Sequence, residues 1–344
     1  MDNNLNIPKV SVIMPVYNCE QYVKEAVESI LNQTFSDFEL LIIDDASSDS
    51  TISIVKNYND PRLKLIEKPK NSGYTNSLNY GLSIARGEYI ARMDGDDISA
   101  LDRFEKQVAF LNENREIAVC GSLFTIIGTQ TIVNVPENHS EIKLTLLSHC
   151  CFGHPTIMMR KEILDQFSLH YDTSREPAED YDLWSKLSVV TKLHNIQKVL
   201  LDYRVHDAQV SQKKNNQQIK NSSEIKLQLL NNLQFHSSLE EQDLLRKIFL
   251  QEDFFTFQEL KQFQLLKSKL LKANEIGFFE PKGFSNYLLK LEYGIWKQYF
   301  FRRDQYSPII FFQYIKIKRE IAFNLTPLNQ LKLLVKSLIF YKKK

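Results

Sequence analysis

Residues Tyr89–Asp97 read YIARMDGDD, a short apolar run that ends in three carboxylates. Such a run, closed by a polar turn, predicts a buried β-strand that stops at Asp94. Three further runs of this kind precede it, at 10–14, 40–43 and 63–66, and apolar residues at helical spacing lie between them. The alternation predicts an α/β fold with a mostly parallel central sheet flanked by helices.

Acidic residues follow two of the predicted strands. Asp44 and Asp45 come directly after the second strand, and Asp94 and Asp96 come after the fourth. Ligands of open α/β sheets bind beyond the carboxyl ends of the strands. We therefore expect these four side chains to border one binding site.

Asp94 and Asp96 are two residues apart across a glycine, so their charges repel unless a cation lies beside them. Mg²⁺ and Mn²⁺ accept carboxylate oxygens and keep coordination positions for substrate phosphates. A divalent metal that holds a diphosphate is one interpretation of this turn. An acidic turn or a helix cap is the other.

Glu179 and Asp180 open a predicted amphipathic helix. A carboxylate there can act as a general base toward a hydroxyl, or it can merely complement the helix dipole. His206 follows a strand-like run and can ligate a metal or contact a diphosphate, whereas His154 precedes a proline in a predicted loop. A purely structural role is the alternative for both histidines.

Six segments, in their order and spacing, resemble family 2 of the inverting glycosyltransferases, which have the A-type glycosyltransferase fold. The segments are 10–18 (VSVIMPVYN), 44–51 (DDASSDST), 71–73 (NSG), 86–91 (RGEYIA), 93–97 (MDGDD) and 179–180 (ED). The resemblance covers about residues 8–210. It implies transfer of a sugar, with inversion, from a nucleotide-diphosphate donor to an acceptor hydroxyl in cell-surface polysaccharide or glycolipid assembly.

The same resemblance implies a role for each candidate residue. The nucleotide-sugar pocket would contain Pro15, Val16, Tyr17, Asp44, Asp45 and Asp94, with Asp45 at the base and Asp94 at the ribose or donor sugar. The metal–diphosphate would lie at Asp96, with Asp94 and His206 as further ligands. Asp180 would be the catalytic base, with Glu179 next to it.

The resemblance also implies a cofactor and partners. The cofactor is a divalent metal, Mn²⁺ or Mg²⁺. The partners are a nucleotide-diphosphate sugar, by default linked to UDP, and a glycan or lipid-linked acceptor.

The composition changes after Gln212. We predict a nucleotide-sugar-binding catalytic domain over residues 1–212 and a helical, basic C-terminal region over residues 213–344. Residues 281–344 contain 13 Lys and Arg but only 3 Asp and Glu, a net charge of +10 in a chain whose net charge is +1. This region fits either a helical bundle that packs on the catalytic domain or a surface that docks on anionic lipid.

Apolar runs, cysteines and net charge limit where the protein can be located and what it can bind. The first nine residues are polar, and no uninterrupted apolar run reaches the roughly 18 residues of a membrane span. Four cysteines without metal-ligand spacing indicate free thiols in a reducing compartment. We expect a cytoplasmic protein, either free or peripheral on the inner face of the membrane, and its small net charge predicts no nucleic-acid partner.

Other classes of protein fit the pattern less well. A non-catalytic, nucleotide-sugar-binding regulator on the same sheet is the main alternative, although retention of both Asp96 and Asp180 argues against it. A dehydrogenase would need the dinucleotide fingerprint, which is absent. A nucleotidyltransferase would need a glycine-rich, arginine-containing phosphate loop near the N-terminus, and none is found.

Overall fold

The computed structural model describes residues 7–129, 131–206, 215–250, 254–321 and 324–342. The chain divides into two compact units, residues 1–225 and 226–344. The predicted domain boundary between residues 212 and 213 lies outside the described residues. The division between the units falls within the helix Asn215–Asn231.

The first unit is built on one large sheet. Its strands are β1 Val10–Val16, β2 Phe38–Asp44, β3 Leu63–Glu67, β4 Tyr89–Arg92, β5 Ile98–Ser99, β6 Ile117–Ile126, β7 Ile132–Val133, β8 Met158–Arg160 and β9 Lys192–Tyr203. Eight of them lie side by side in the order β3-β2-β1-β4-β8-β6-β9-β5, and β7 pairs with β6.

The predicted parallel arrangement is present in the first half of this sheet, where β3, β2, β1 and β4 all run in one direction. Beyond β4 the sheet is mixed. β8 is antiparallel to both β4 and β6, whereas β6 is parallel to β9. The α/β prediction is therefore confirmed, and the antiparallel β8 is an addition to it.

Helices connect the strands and continue into the second unit. Those of the first unit are α1 Val23–Leu31, α2 Thr51–Lys56, α3 Tyr74–Ile84, α4 Arg103–Glu113, α5 His139–Thr145, α6 Lys161–Gln166 and α7 Glu179–Val190. Next comes α8 Asn215–Asn231, which contains the division between the units. The second unit has α9 Leu239–Phe249, α10 Phe257–Ala273, α11 Pro281–Phe301, α12 Pro308–Ile321 and α13 Pro327–Leu338.

The central strands have no exposed face, because every residue of β1, β2 and β4 is buried. Apolar side chains of α1 and α4, such as Val27 and Phe104, belong to the same core cluster as these strands. Burial on both faces explains why the strands read as continuous apolar runs. Gly87 allows β4 to approach β1, since a Cβ there would lie 2.5 Å from the backbone nitrogen of Ser11.

The second unit is helical, as predicted, with its own core. Its fully buried aromatic side chains are Phe263, Phe279, Phe284, Trp296, Phe300 and Tyr314. Among the described residues, no helix combines the length and the apolar character that crossing a bilayer requires.

Candidate active site

The end of β2 places Asp45 against the loop that precedes α3. Its carboxylate accepts hydrogen bonds from the backbone N–H groups of Ser72 (3.0 Å) and Gly73 (2.9 Å). It also accepts one from Nζ of Lys68 at 2.6 Å. Burial by itself would raise the pKa of Asp45, but these donors outweigh it and hold the pKa below its usual range. Asp45 therefore anchors this loop to the sheet.

Asp44 is fully buried beside it. Oδ2 accepts a hydrogen bond from the N–H of Ser47 at 3.0 Å, whereas Oδ1 has no partner among the described residues. A buried carboxylate oxygen without a partner costs free energy. This atom is therefore suited to receive a donor from a bound ligand.

The predicted segment at the end of β1 lies along the same edge of the sheet. Pro15 and Val16 are buried and pair with Ile43 and Asp44 of β2. Tyr17 follows with 51% of its surface exposed. The structure therefore brings these residues next to Asp44, and Tyr17 is the one open to solvent.

The turn after β4 gathers three carboxylates. One oxygen from each of Asp94, Asp96 and Asp97 lies within 4.8 Å of the others. Asp94 also forms an ion pair with Arg92. Asp97 is fully buried; its Oδ1 accepts the N–H of Arg204 at 2.8 Å, and its Oδ2 has no partner among the described residues. Sequence reasoning assigned roles to Asp94 and Asp96 but missed Asp97.

Burial and mutual repulsion disfavour ionisation of this cluster. Burial, together with the charges of Asp94 and Asp96, raises the pKa of Asp97 to about 9. Burial also raises the pKa of Asp94 to about 6, with Arg92 opposing the shift and Asp96 adding to it. A divalent cation relieves such repulsion, and carboxylate oxygens are ligands that Mg²⁺ and Mn²⁺ accept. The residues present therefore fit a divalent metal.

His206 and Arg204 lie at the cluster, just after β9. Nε2 of His206 is 2.8 Å from Oδ2 of Asp96, and the imidazole stacks on Tyr22 with 5.3 Å between ring centroids. Nε of Arg204 donates to the backbone oxygen of Asp96 at 2.7 Å. His206 is thus in contact with a candidate metal ligand, and its own ligation of the metal stays a prediction.

Helix α7 begins with the predicted acidic pair. Oε2 of Glu179 accepts a hydrogen bond from the Tyr74 hydroxyl at 2.5 Å. Asp180 accepts the N–H of Tyr181 at 2.6 Å, and Sγ of Cys150 lies 3.6 Å from its Oδ2. Burial and the neighbouring charge of Asp180 raise the pKa of Glu179 to about 8, and burial raises the pKa of Asp180. Raised values of this kind suit a proton acceptor that works near neutral pH.

The acidic turn lies close enough to the acidic pair for their charges to interact. Besides burial, the charge of Asp180 contributes to the raised pKa of Asp94. The guanidinium of Arg92 acts against burial at both carboxyls and lowers their pKa. Because such influence falls with distance, residues far apart in the sequence converge here.

Sequence reasoning also missed Arg92. It is a lone charge inside an otherwise apolar strand, and it is 6% exposed. Since a buried charge requires a partner, this pattern could have indicated a nearby carboxylate. Its partner Asp94 is two residues away.

His154 lies in a short 3₁₀ turn among aromatic side chains. Its Nε2 is 2.9 Å from the Tyr171 hydroxyl, and its ring meets Trp184 edge to face at 5.9 Å. Burial and the charge of Arg92 lower its pKa well below the usual range. A neutral imidazole held in this way agrees with the structural alternative.

Comparisons with known proteins agree with this arrangement. A family model described as glycosyl transferase family 2 matches residues 11–168. An uncharacterized glycosyltransferase of Haemophilus influenzae is 37% identical over 227 residues, which cover 62% of this chain and 70% of the relative. The Escherichia coli UDP-Glc:alpha-D-GlcNAc-diphosphoundecaprenol beta-1,3-glucosyltransferase WfgD is 32% identical over 213 residues, which cover 60% of this chain and 80% of WfgD.

A solved structure is similar over most of the chain. Residues 1–349 of S. aureus TarS, crystallised with UDP, match with a TM-score of 0.56 and 20% identity over 93% of this chain and 94% of TarS. The sheet and its acidic edge thus define an A-type glycosyltransferase fold. The protein belongs to glycosyltransferase family 2.

Proposed function

We propose that the protein is an inverting glycosyltransferase that moves a sugar from a nucleoside-diphosphate donor to an acceptor hydroxyl. The supporting observation is the convergence of the acidic turn after β4 with Asp180 at the start of α7. One group of carboxylates suits a metal–diphosphate and the other suits a proton acceptor. A donor sugar and an acceptor held between them are positioned to react.

Asp94, Asp96 and Asp97 would hold Mn²⁺ or Mg²⁺, with His206 beside them. The bound cation supplies positive charge next to the departing diphosphate. Two observations support this assignment: Oδ2 of Asp97 has no partner within the described part of the chain, and three carboxylates crowd together there. Metal binding would also keep Asp97 ionised at neutral pH, since a cation favours the charged form.

The nucleotide would lie along the ends of β1 and β2. Pro15, Val16 and Tyr17 would line one wall, and the open Oδ1 of Asp44 would accept an N–H of the base. Asp45 would complete the base pocket by holding the loop at 71–73 in place.

Asp180 would take the proton of the acceptor hydroxyl while the hydroxyl oxygen bonds to C1 of the donor sugar. The bond from C1 to the diphosphate oxygen breaks on the opposite face, so the configuration at C1 inverts. The nucleoside diphosphate leaves with the bonding electron pair, and the proton stays on Asp180 until solvent removes it. Burial raises the pKa of Asp180, and the guanidinium of Arg92 opposes this shift and so favours the ionised form; the Tyr74 hydroxyl holds Glu179 beside it.

The substrates would be a UDP-linked sugar and a lipid-linked or glycan acceptor, met at the inner face of the membrane during surface-polysaccharide or glycolipid assembly. TarS was crystallised with UDP, and the name of WfgD describes UDP-glucose as donor and a lipid diphosphate-linked sugar as acceptor. A UDP-linked donor suits an acidic turn whose carboxylates would hold a metal beside its diphosphate.

We expect the full-length protein to transfer sugar from UDP-glucose or UDP-N-acetylglucosamine to a synthetic GlcNAc-diphospholipid when Mn²⁺ is present. Asp180→Asn should lower transfer by about 10² to 10⁴-fold, because it removes the base. Asp96→Ala should abolish the effect of Mn²⁺ on UDP affinity, because it removes a ligand. Mass spectrometry of the product and calorimetry with UDP measure these outcomes, and NMR of the product should find a β linkage.

Asp165→Asn is the matched control, because Asp165 is exposed on α6 and paired only with Lys161 among the described contacts. Near-normal transfer by Asp180→Asn would overturn the role of the base. An α-linked product from the α-linked donor would overturn inversion.

A further inference from the structure

The helix α13 presents an apolar face to solvent. Four outward residues of the helix, together with Ile339 directly after it, are apolar and between 46% and 63% exposed; the four are Leu328, Leu331, Val335 and Leu338. Their spacing places them on one side of the helix. Only Leu333 and Ser337, on the opposite side, are fully buried. The helix therefore packs through a narrow strip, and its larger apolar face has no partner in the described residues.

The outward face is held in place by its surroundings. Thr326 caps the start of the helix through the N–H of Asn329. Past its end, the N–H of Tyr306 donates to the backbone oxygen of Tyr341 at 2.9 Å. Nζ of Lys336 lies 4.9 Å and 4.8 Å from the ring centroids of Tyr306 and Tyr341. These contacts fix both ends, so the apolar face is a property of the folded unit and not of a frayed terminus.

The charged residues of the C-terminal segment that forms this face all have one sign. Residues 321–344 contain five lysines and no Asp or Glu. Lys332 follows Leu331 on the exposed side, and Lys342 is exposed in the segment beyond the helix. An apolar helix face bordered by lysines fits the headgroup boundary of an anionic bilayer. A symmetric contact with a second copy fits less well, because it would bring these lysines together with their own equivalents.

We propose that the outward face of α13 docks on an anionic lipid bilayer. Leu331 and Val335 enter the acyl boundary, and Lys332 and Lys342 face the phosphate groups. The proposal rests on the proposed function in one respect, because docking would bring the enzyme to a lipid-linked acceptor in the same bilayer. The docking itself is measured without any sugar transfer.

The test is flotation of the full-length protein with two kinds of vesicle. We expect binding to vesicles of phosphatidylcholine with phosphatidylglycerol and much weaker binding to phosphatidylcholine alone. The double variant Leu331→Glu/Val335→Glu should lower binding to the anionic vesicles by about 10-fold or more, because it places two charges in the apolar boundary. Its melting temperature should stay at the wild-type value, because both side chains are exposed.

The matched control is Leu265→Glu, which introduces the same charge at a position on α10 that is 69% exposed. It should float as the wild type does. Failure of the wild type to float with anionic vesicles, or flotation of the double variant equal to that of Leu265→Glu, would overturn the proposal.

Sedimentation velocity tests the alternative that a second copy of the protein covers this face. If the double variant converts a wild-type dimer into a monomer and neither binds vesicles, the face joins two copies and the proposal is wrong. A protein that binds anionic vesicles but transfers no sugar would retain this docking surface and lose the proposed function.

Discussion

At the scale of single residues, the candidate site depends on the hydrogen bonds that its buried polar atoms form. Cys150 illustrates this point. Its Sγ lies 3.6 Å from Oδ2 of Asp180 and 3.8 Å from the backbone oxygen of Phe152. The thiol has one proton to donate, and an ionised carboxylate is the stronger acceptor. Cys150 therefore orients Asp180, whose Oδ1 accepts the N–H of Tyr181.

We expect Cys150→Ala to lower kcat by about fivefold, a loss of about 1 kcal/mol in transition-state stabilisation. Cys150→Ser should retain most of the activity, because a hydroxyl can donate to the same oxygen. UDP affinity should not change in either variant, since the thiol lies on the side of the base. Steady-state kinetics with calorimetry measure this, and a Cys150→Ala enzyme with wild-type kcat would contradict it.

The sequence predicted Asp94, Asp96 and Asp180 because each follows a strand or opens a helix, where function concentrates in α/β folds. Asp97 could not be assigned in the same way. Its inward position depends on Arg204, which comes from a distant part of the chain and binds Oδ1. A third carboxylate in a turn is as often a capping residue as a ligand, so only the three-dimensional contacts distinguish the two.

At the scale of elements, one carboxylate connects the sheet to the loop before α3. Asp45 directly follows β2 and accepts hydrogen bonds from Lys68, Ser72 and Gly73. Gly73 has a φ of +91°, a backbone conformation that favours glycine. The loop conformation is therefore set jointly by a glycine and by a buried acceptor.

Asp45→Ala should lower the free energy of unfolding by about 2 kcal/mol, because the partly buried Lys68 and the N–H groups of Ser72 and Gly73 lose this acceptor. Asp37→Ala is the control. Asp37 is exposed just before β2, so its replacement should cost less than about 0.5 kcal/mol. Denaturant unfolding measures both, and equal losses in the two variants would show that the anchor contributes nothing.

Elements with a long periodic pattern were predictable. The apolar runs of β1 to β4 and the stripe on α13 were read from spacing alone, because burial and helix geometry impose their periods. The three-residue β8 is too short to carry a period, and its antiparallel insertion between β4 and β6 depends on tertiary contacts. The sequence also could not predict that the apolar stripe of α13 faces outward, because periodicity identifies an apolar face but not what covers it.

At the scale of the whole molecule, buried carboxylates make stability depend on pH. The folded protein holds protons on Asp97 and Glu179, whose pKa values are raised to about 9 and about 8, whereas the unfolded chain loses them near pH 4. Since the folded state binds more protons in this window, stability is highest below it and is lost as pH rises toward these values.

We expect the melting temperature of the EDTA-treated protein to fall as the pH rises from about 5 to about 8, because these two carboxyls are ionised in the unfolded chain but still protonated in the folded protein. Asp97→Asn should reduce the fall. Mn²⁺ should raise the melting temperature more at the higher pH, because the metal competes with protons for the same oxygens. Differential scanning fluorimetry measures this, and an increase with pH in EDTA would contradict it.

The hydrogen bond between Tyr74 and Glu179 has a mechanical consequence. The N–H of Gly73 donates to Asp45, and the hydroxyl of the next residue, Tyr74, donates to Glu179. A single peptide unit therefore connects the contacts of these two carboxylates. In the proposed mechanism, a nucleotide in contact with the loop at 71–73 would therefore touch the same segment that positions Glu179. If the proposed function holds, donor binding would stabilise the position of Glu179 before the acceptor binds, and we expect the donor to bind first.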